Sequence, residues 1–255
     1  VHPDALHLSV SAYGKDFLVD SGRFWYMRDQ WTDFAHSSRS HNVILIDACD
    51  QEPKPKKAEK PLPETHWAIT DAFDYARATH DQFENLKGTA VHTRIVVFLR
   101  GTGWVVVDRI ATDRPRALTP MWRFRPERKV EIAENGALKT VDAKGANLSI
   151  TPVGPVAWKA ELVRGQEQPH LQGWHSDVST EWEPSPCAVY SGRIEDDTVF
   201  GWVILPVKDG RIESTGEPVF EVDEGKVVVR LTTFGGEAYE LSIPLNEGAP
   251  TLGPR

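Results

Sequence analysis

The sequence predicts an all-β fold, a large antiparallel β-sandwich made of long sheets. Apolar, β-branched runs of about four to eight residues recur between turn signals. No long stretch repeats its apolar residues with the 3.6-residue period of a helix. At 255 residues the chain is long enough to bury a sizeable core as one large all-β domain.

The elements follow in order. Residues 6–13 alternate apolar and polar and stop at Gly14, which reads as a half-buried strand and a turn. Residues 17–19 are a short apolar strand, and 43–46 a continuous apolar run of the kind buried on both faces. Residues 51–64 break the series. Four lysines, three glutamates and four prolines crowd them, and a segment so rich in proline is an excursion loop, not a central strand. Residues 93–99 and 104–110 flank Arg100-Gly101-Thr102-Gly103, a hairpin signal. Further pairs flank Glu134-Asn135-Gly136 and Lys144-Gly145, and strands at 199–207, 219–222, 226–233 and 238–243 complete the series. There is no internal repeat and no composition shift that marks a boundary, so residues 1–255 read as a single domain.

Composition narrows the function classes. A formal charge of -8 argues against a broad nucleic-acid surface. No apolar run approaches the roughly 18 residues of a membrane-spanning helix. Two cysteines, Cys49 and Cys187, make no disulfide framework and no CxxC motif. Val1 stands where a secretory leader or initiator methionine is expected, so the chain reads as part of a longer polypeptide.

One constellation carries chemistry. His2 precedes the first strand, Asp20 ends the second in FLVDSG, and His41 opens the third in SHNVILID. Two imidazoles and a carboxylate at neighbouring strand ends suit a divalent cation, zinc first and calcium second, with a coordination position left open. The spacing is not a local metal motif, and turn capping by the same residues is the plainer alternative.

These residues also carry a resemblance. HPDALHLSVSAYGKDFLVDSGRFWYM followed by WTDFAHSSRSHNVILIDACDQ resembles the C-terminal β-sheet domain of the heparinase II/III-like polysaccharide lyases. The family pattern is His-x-His-x-Asp-x-Leu-Ser-Phe, then a strand ending Asp-x-Gly-x-Tyr-x-Tyr, then Trp-x-x-Tyr-Phe-Arg-Ser-Thr-x-x-His-Asn-Thr. His2, Asp4 and Leu6 match the first block, Asp20, Gly22 and Tyr26 the second, and Trp31, Ser37, His41 and Asn42 the third. VHTRIVVFLRGTGWVVVDRI is similar to the family's His-x-Arg hairpin, and GWHSDVSTEWEPSPCAVYSGR to its later Gly-Trp-x-Ser segment.

The resemblance implies the β-sandwich half of an enzyme whose other half is an N-terminal helical toroid, with an acidic polysaccharide in the cleft between them. The implied reaction is β-elimination at a uronic acid of a heparin-, heparan sulfate- or alginate-like polymer. A proton leaves C5, the bond to O4 breaks, and an acid protonates the leaving oxygen. The implied parent is a periplasmic or secreted bacterial lyase, and the fragment alone is expected to be inactive. The alternative is a non-catalytic carbohydrate-binding or structural domain with a structural metal.

The resemblance also distributes roles. It makes His2, Asp20 and His41 the metal ligands, with Asp4 orienting an imidazole and Asn42 fixing the loop. Tyr26 is the tyrosine offered to the cleft, and Arg23, His36 and Arg39 are substrate contacts. The sequence departs from the pattern at Phe24, at Phe34-Ala35, at His36 in place of arginine and at Ser38 in place of threonine. His92 and Arg94, placed mid-strand, read as a structural hydrogen-bonding cluster. Trp174 and Trp182 read as packing, with sugar stacking as the sharper alternative.

Overall fold

The protein, seen in a computed structural model, is described over residues 2–22, 29–56, 61–178, 181–210, 212 and 216–253. It is almost entirely β-structure. The largest sheet has eight antiparallel strands, in the order Trp67–Ile69, Phe73–His80, Ala90–Leu99, Gly103–Thr112, Thr198–Val207, Asn147–Val153, Leu138–Thr140 and Val130–Ile132. One face meets a four-stranded sheet of Lys159–Val163, Cys187–Ile194, Arg116–Arg123 and Ile44–Ile46. The other face meets the C-terminal sheet of Val219–Asp223, Lys226–Thr232, Ala238–Pro244 and Thr251–Leu252.

Side-chain alternation explains this three-layer order. Val106, Ile110, Phe200, Trp202 and Ile204 fill the core shared with Ile44, Leu118, Trp122 and Tyr190. Their strand neighbours Val105, Val107, Val203 and Leu205 fill the second core with Val227, Val229, Leu241 and Ile243. A strand buried on both faces needs apolar residues at successive positions, which is why its sequence runs continuously apolar.

Most strands lie where the pattern puts them. The hairpin over Arg100-Gly101-Thr102-Gly103 joins Ala90–Leu99 to Gly103–Thr112, with Leu99 paired to Gly103. Segment 6–13 differs: only Val10–Ala12 is strand, paired with Lys15–Leu18. Leu6 instead takes a left-handed backbone, φ 68°, and turns the chain. Several strands escape a reading by apolar runs, among them Phe73–His80, Arg116–Arg123 and Lys159–Val163. Charged residues interrupt the first and the last, Pro120 interrupts the second, and sheet neighbours make them strands. The short helix Gln30–Ala35 is also new. Six residues are too few to show a period, but Asp29 caps it, its carboxylate accepting from the Trp31 and Thr32 amides.

Two anchored segments bring the sequence's candidates together. Phe17 and Leu18 are fully buried, and the Val19 amide donates to the Arg123 carbonyl at 3.1 Å. Ile44–Ile46 is buried throughout and pairs with Arg116–Arg123. Both segments therefore run onto the same strand, and its end sets where Asp20 and His41 emerge.

Candidate metal centre

The polar half of FAHSSRSHNVILID has a structural task. After the capped helix, Ser38–Ser40 form a single 3-10 turn, and the His41 amide closes it on the Ser38 carbonyl at 3.1 Å. The Ser38 hydroxyl donates to the Pro3 carbonyl and accepts from the Gln51 amide. The Ser40 hydroxyl bonds the Ala35 and Ser37 carbonyls. These buried hydroxyls satisfy backbone groups that a non-repeating loop leaves open. Gln51 fixes the entering chain from the other side, accepting from the Ala5 amide and donating to the Ala5 carbonyl.

Asn42 is the hub. Its amide nitrogen Nδ2 donates to the Leu8 and Val19 carbonyls, and its Oδ1 accepts from the Arg123 amide at 2.7 Å. Its backbone N–H donates to His7 Nδ1 at 3.0 Å. One fully buried side chain thus ties together the segments carrying His7, Asp20 and His41.

His41 Nδ1 and Asp20 Oδ2 lie 2.8 Å apart. The Asp20 carbonyl is engaged by His175 Nδ1 at 3.0 Å, and Asp20 Oδ1 accepts from the Gly22 amide. Gly22 sits at φ 97° with its α-carbon against the Ser176 backbone, so no side chain fits there. His7, Asp20 and His41 each offer a ligand atom, and these atoms all lie within 4.8 Å of one another. His41 Nε2 is buried and has no hydrogen-bond partner among the described residues. His41 Nε2, with Nδ1 held on the Asp20 carboxylate, fits a divalent ion of the zinc class, and His7 joins it only by giving up the Asn42 N–H at 3.0 Å on its Nδ1 or the Ser9 Oγ at 2.9 Å on its Nε2.

The electrostatics suit ligation. Burial pushes the His7 pKa down to about 4, so its ring is neutral near pH 7. Burial raises that of Asp20, but the His41 hydrogen bond and the neighbouring imidazoles outweigh it and hold the carboxyl at about 2. His7 has a testable consequence. Its folded pKa lies below the ordinary value of 6.5, so the unfolded chain takes up that proton first. The stability from neutral His7 is complete above that ordinary value and drains away as pH falls toward the folded one, by up to about 3 kcal/mol. Urea unfolding in chelator at pH 7 and pH 4.5 should show this extra acid loss in the parent and not in His7→Gln. Equal losses would mean that His7 is not held neutral.

The structure treats the remaining candidates differently. His2 stands beside the group, its ring centroid 5.6 Å from that of His41 and 4.9 Å from that of His36. His7, which the sequence reading left inside an alternating strand, occupies the place near Asp20 and His41. Its signal was a second histidine close to His2, outweighed by the family pattern at His2. The Asp4 carbonyl accepts from the His7 amide, and the carboxylate bonded to His41 is that of Asp20. His36 is exposed. Arg39 Nη1 reaches His170 Nε2 at 3.4 Å, and its carbonyl accepts from buried Arg123. Arg23 and Tyr26 lie outside the described residues. Trp174 and Trp182 pack against Trp31, with centroids 4.9 and 5.4 Å away. His92 and Arg94 do form a buried cluster, on Asp108.

The family described as heparinase II/III-like, C-terminal, matches residues 1–201. No curated protein matches the sequence. Among solved structures, the heparan sulfate lyase HepC from Pedobacter heparinus superposes with a TM-score of 0.77 at 18% identity, over 96% of this chain and 37% of that one. The heparinase III BT4657 gene product gives 0.73 at 18%, again over 96% and 37%. A further heparinase III gives 0.71 at 17%, over 96% and 36%. At such identity the likeness establishes a shared fold, and the chain spans well under half the length of these relatives.

Proposed function

Because the chain belongs to the heparinase II/III-like C-terminal family, we propose that it is the β-sheet half of a polysaccharide lyase with a divalent metal centre at His7, Asp20 and His41. The substrate class is a uronate-containing acidic polysaccharide, in keeping with the heparan sulfate lyase among the solved relatives. The reaction is β-elimination. The supporting observation is that ligand atoms of His7, Asp20 and His41 all lie within 4.8 Å of one another, while His41 Nε2 is buried without a partner among the described residues.

His7, Asp20 and His41 would hold the ion, zinc by donor chemistry, and the ion would supply a fixed positive charge that cross-links strand ends. Its role is structural. Asn42, Ser38 and Gln51 already tie the three segments into one rigid loop cluster, and an ion bound there joins them. Elimination needs no activated water, only a base for C5, an acid for O4 and neutralisation of the uronate carboxylate. Exposed His36 and half-buried Arg39 offer hydrogen-bond donors, and Arg39 a fixed positive charge, that an acidic sugar would meet. The remaining catalytic groups come from the helical domain that the family resemblance implies.

The 255 residues alone should therefore release no unsaturated uronate from heparan sulfate or alginate, followed by ultraviolet absorbance. The same residues joined to their helical domain should release it. Clear turnover by the 255 residues alone would overturn this division of labour. No turnover by the joined protein on any uronate polymer would overturn the lyase reading and favour a structural domain.

A further inference from the structure

Five arginines are buried among the described residues, and four of them have partners. Arg94 pairs with Asp108, Arg116 with Asp47 and Asp113, and Arg128 with Asp142, while Arg123 donates to the Arg39 carbonyl and to Gln172. Arg77 differs. It is 5% exposed, its Nη1 is buried without a hydrogen-bond partner, and its guanidinium makes no ion pair or hydrogen bond among the described residues. A guanidinium that loses its hydration and gains no partner is costly, and the cost asks for a ligand. Arg77 stands on Phe73–His80, opposite Ile95. Alternation puts it on the face of the large sheet that carries Tyr75, Ile95 and Val107, beside the C-terminal sheet. The next residues outward on that face are polar. Thr79 pairs with Thr93, their hydroxyls 2.9 Å apart, and Thr93 pairs with Arg109. One hydroxyl proton serves that bond and the other is left to donate. Arg109 reaches the Asn246 side-chain oxygen at 3.4 Å and lies 3.8 Å from the Asp197 carboxylate, both long contacts.

We propose that Arg77, with the Thr79–Thr93 hydroxyl pair and Arg109, forms a binding site for an oxyanion of the sulfate class. It lies on the face of the large sheet opposite to Arg94, whose guanidinium reaches the Leu6 and Asn42 carbonyls on the side of the metal centre. A guanidinium presents parallel N–H groups that match two oxygens of one oxyanion. The spare hydroxyl proton supplies a third donor and Arg109 a second positive charge, which together suit a small dianion. The donors are the same whether the oxyanion is a free ion or a sulfate ester on a sugar. The site shares no residue with the metal centre and does not depend on it.

Thermal melts test the site while sodium chloride is exchanged for sodium sulfate at constant ionic strength. In chloride, Arg77→Met should melt at or above the parent, because methionine keeps much of the apolar stem and removes the unpaired charge. Sulfate should raise the Tm of the parent in a saturable way, by roughly 5–10 °C at a hundred times its Kd. Sulfate also stabilises proteins by its exclusion from their surface, and the smaller, non-saturating rise in Arg77→Met measures that part. Thr93→Val keeps the shape of the strand and removes one hydroxyl. It should shift half-saturation to about tenfold more sulfate, and it carries the test if Arg77→Met does not fold. Glucose 6-sulfate that saturates at a lower concentration than inorganic sulfate marks a sugar-borne group as the ligand, and the reverse order marks a free ion. Either order supports the site. The same sulfate response in the parent and in Arg77→Met, or in the parent and in Thr93→Val, overturns the proposal. So does Arg77→Met melting well below the parent in chloride, since the guanidinium is then satisfied by water or by the protein itself.

Discussion

Asp108→Asn should destabilise the protein by about 3–5 kcal/mol, because it leaves a buried guanidinium without its counter-charge. Arg94 and His92 both direct nitrogens at this carboxylate, and Trp202 adds a third donor, so an amide of the same shape cannot satisfy them all. Burial disfavours the charged Asp108 carboxyl, but Arg94 and His92 outweigh it and hold its pKa far below the ordinary carboxylate value. The sign follows. A depressed folded pKa contributes stability that is full above about pH 4 and is lost as pH falls below it. Thermal unfolding at pH 7 should show a drop in Tm of roughly 10 °C for a chain of this length. The acid arm of the parent's stability profile should be shallower in the variant. A variant as stable as the parent at neutral pH would mean that the Arg94 charge is satisfied elsewhere.

Zinc should raise the stability of the parent by about 4 kcal/mol at a free concentration a thousand times its Kd, since an ion that binds only the folded chain shifts unfolding by mass action. In a melt this is a rise in Tm of roughly 10 °C, reversed by chelator. Asp20→Asn and His7→Gln should lose the rise while their near-ultraviolet spectra at room temperature stay native. His2→Gln should keep it, because His2 lies outside the close group of ligand atoms. If His2→Gln loses the rise and His7→Gln keeps it, the ligand is the histidine that the family pattern marks. If the full-length lyase carrying Asp20→Asn is as heat-stable as its parent yet inactive, the ion belongs to the chemistry and not to the scaffold.

The sequence by itself determined the fold class and most of the long strands, because a hairpin is a local object. Arg100-Gly101-Thr102-Gly103 specifies a turn wherever it occurs, and the apolar runs around it can only be buried. It also singled out Asp20, His41 and Asn42, which flank such runs and match a family pattern. The tertiary structure decided what depends on distant neighbours. Arg116–Arg123 begins and ends on arginine and contains Pro120, yet it is a strand because Cys187–Ile194 and Ile44–Ile46 lie on either side of it. His7 came to lie beside Asp20 and His41 through a left-handed turn at Leu6, a hydrogen bond from Asn42 and a guanidinium bond to the Leu6 carbonyl. Those partners are 35 and 88 residues away from the groups they bond. Residue spacing encodes contacts within a turn or a hairpin. Contacts between segments so far apart arise only when the sheets that carry them pack.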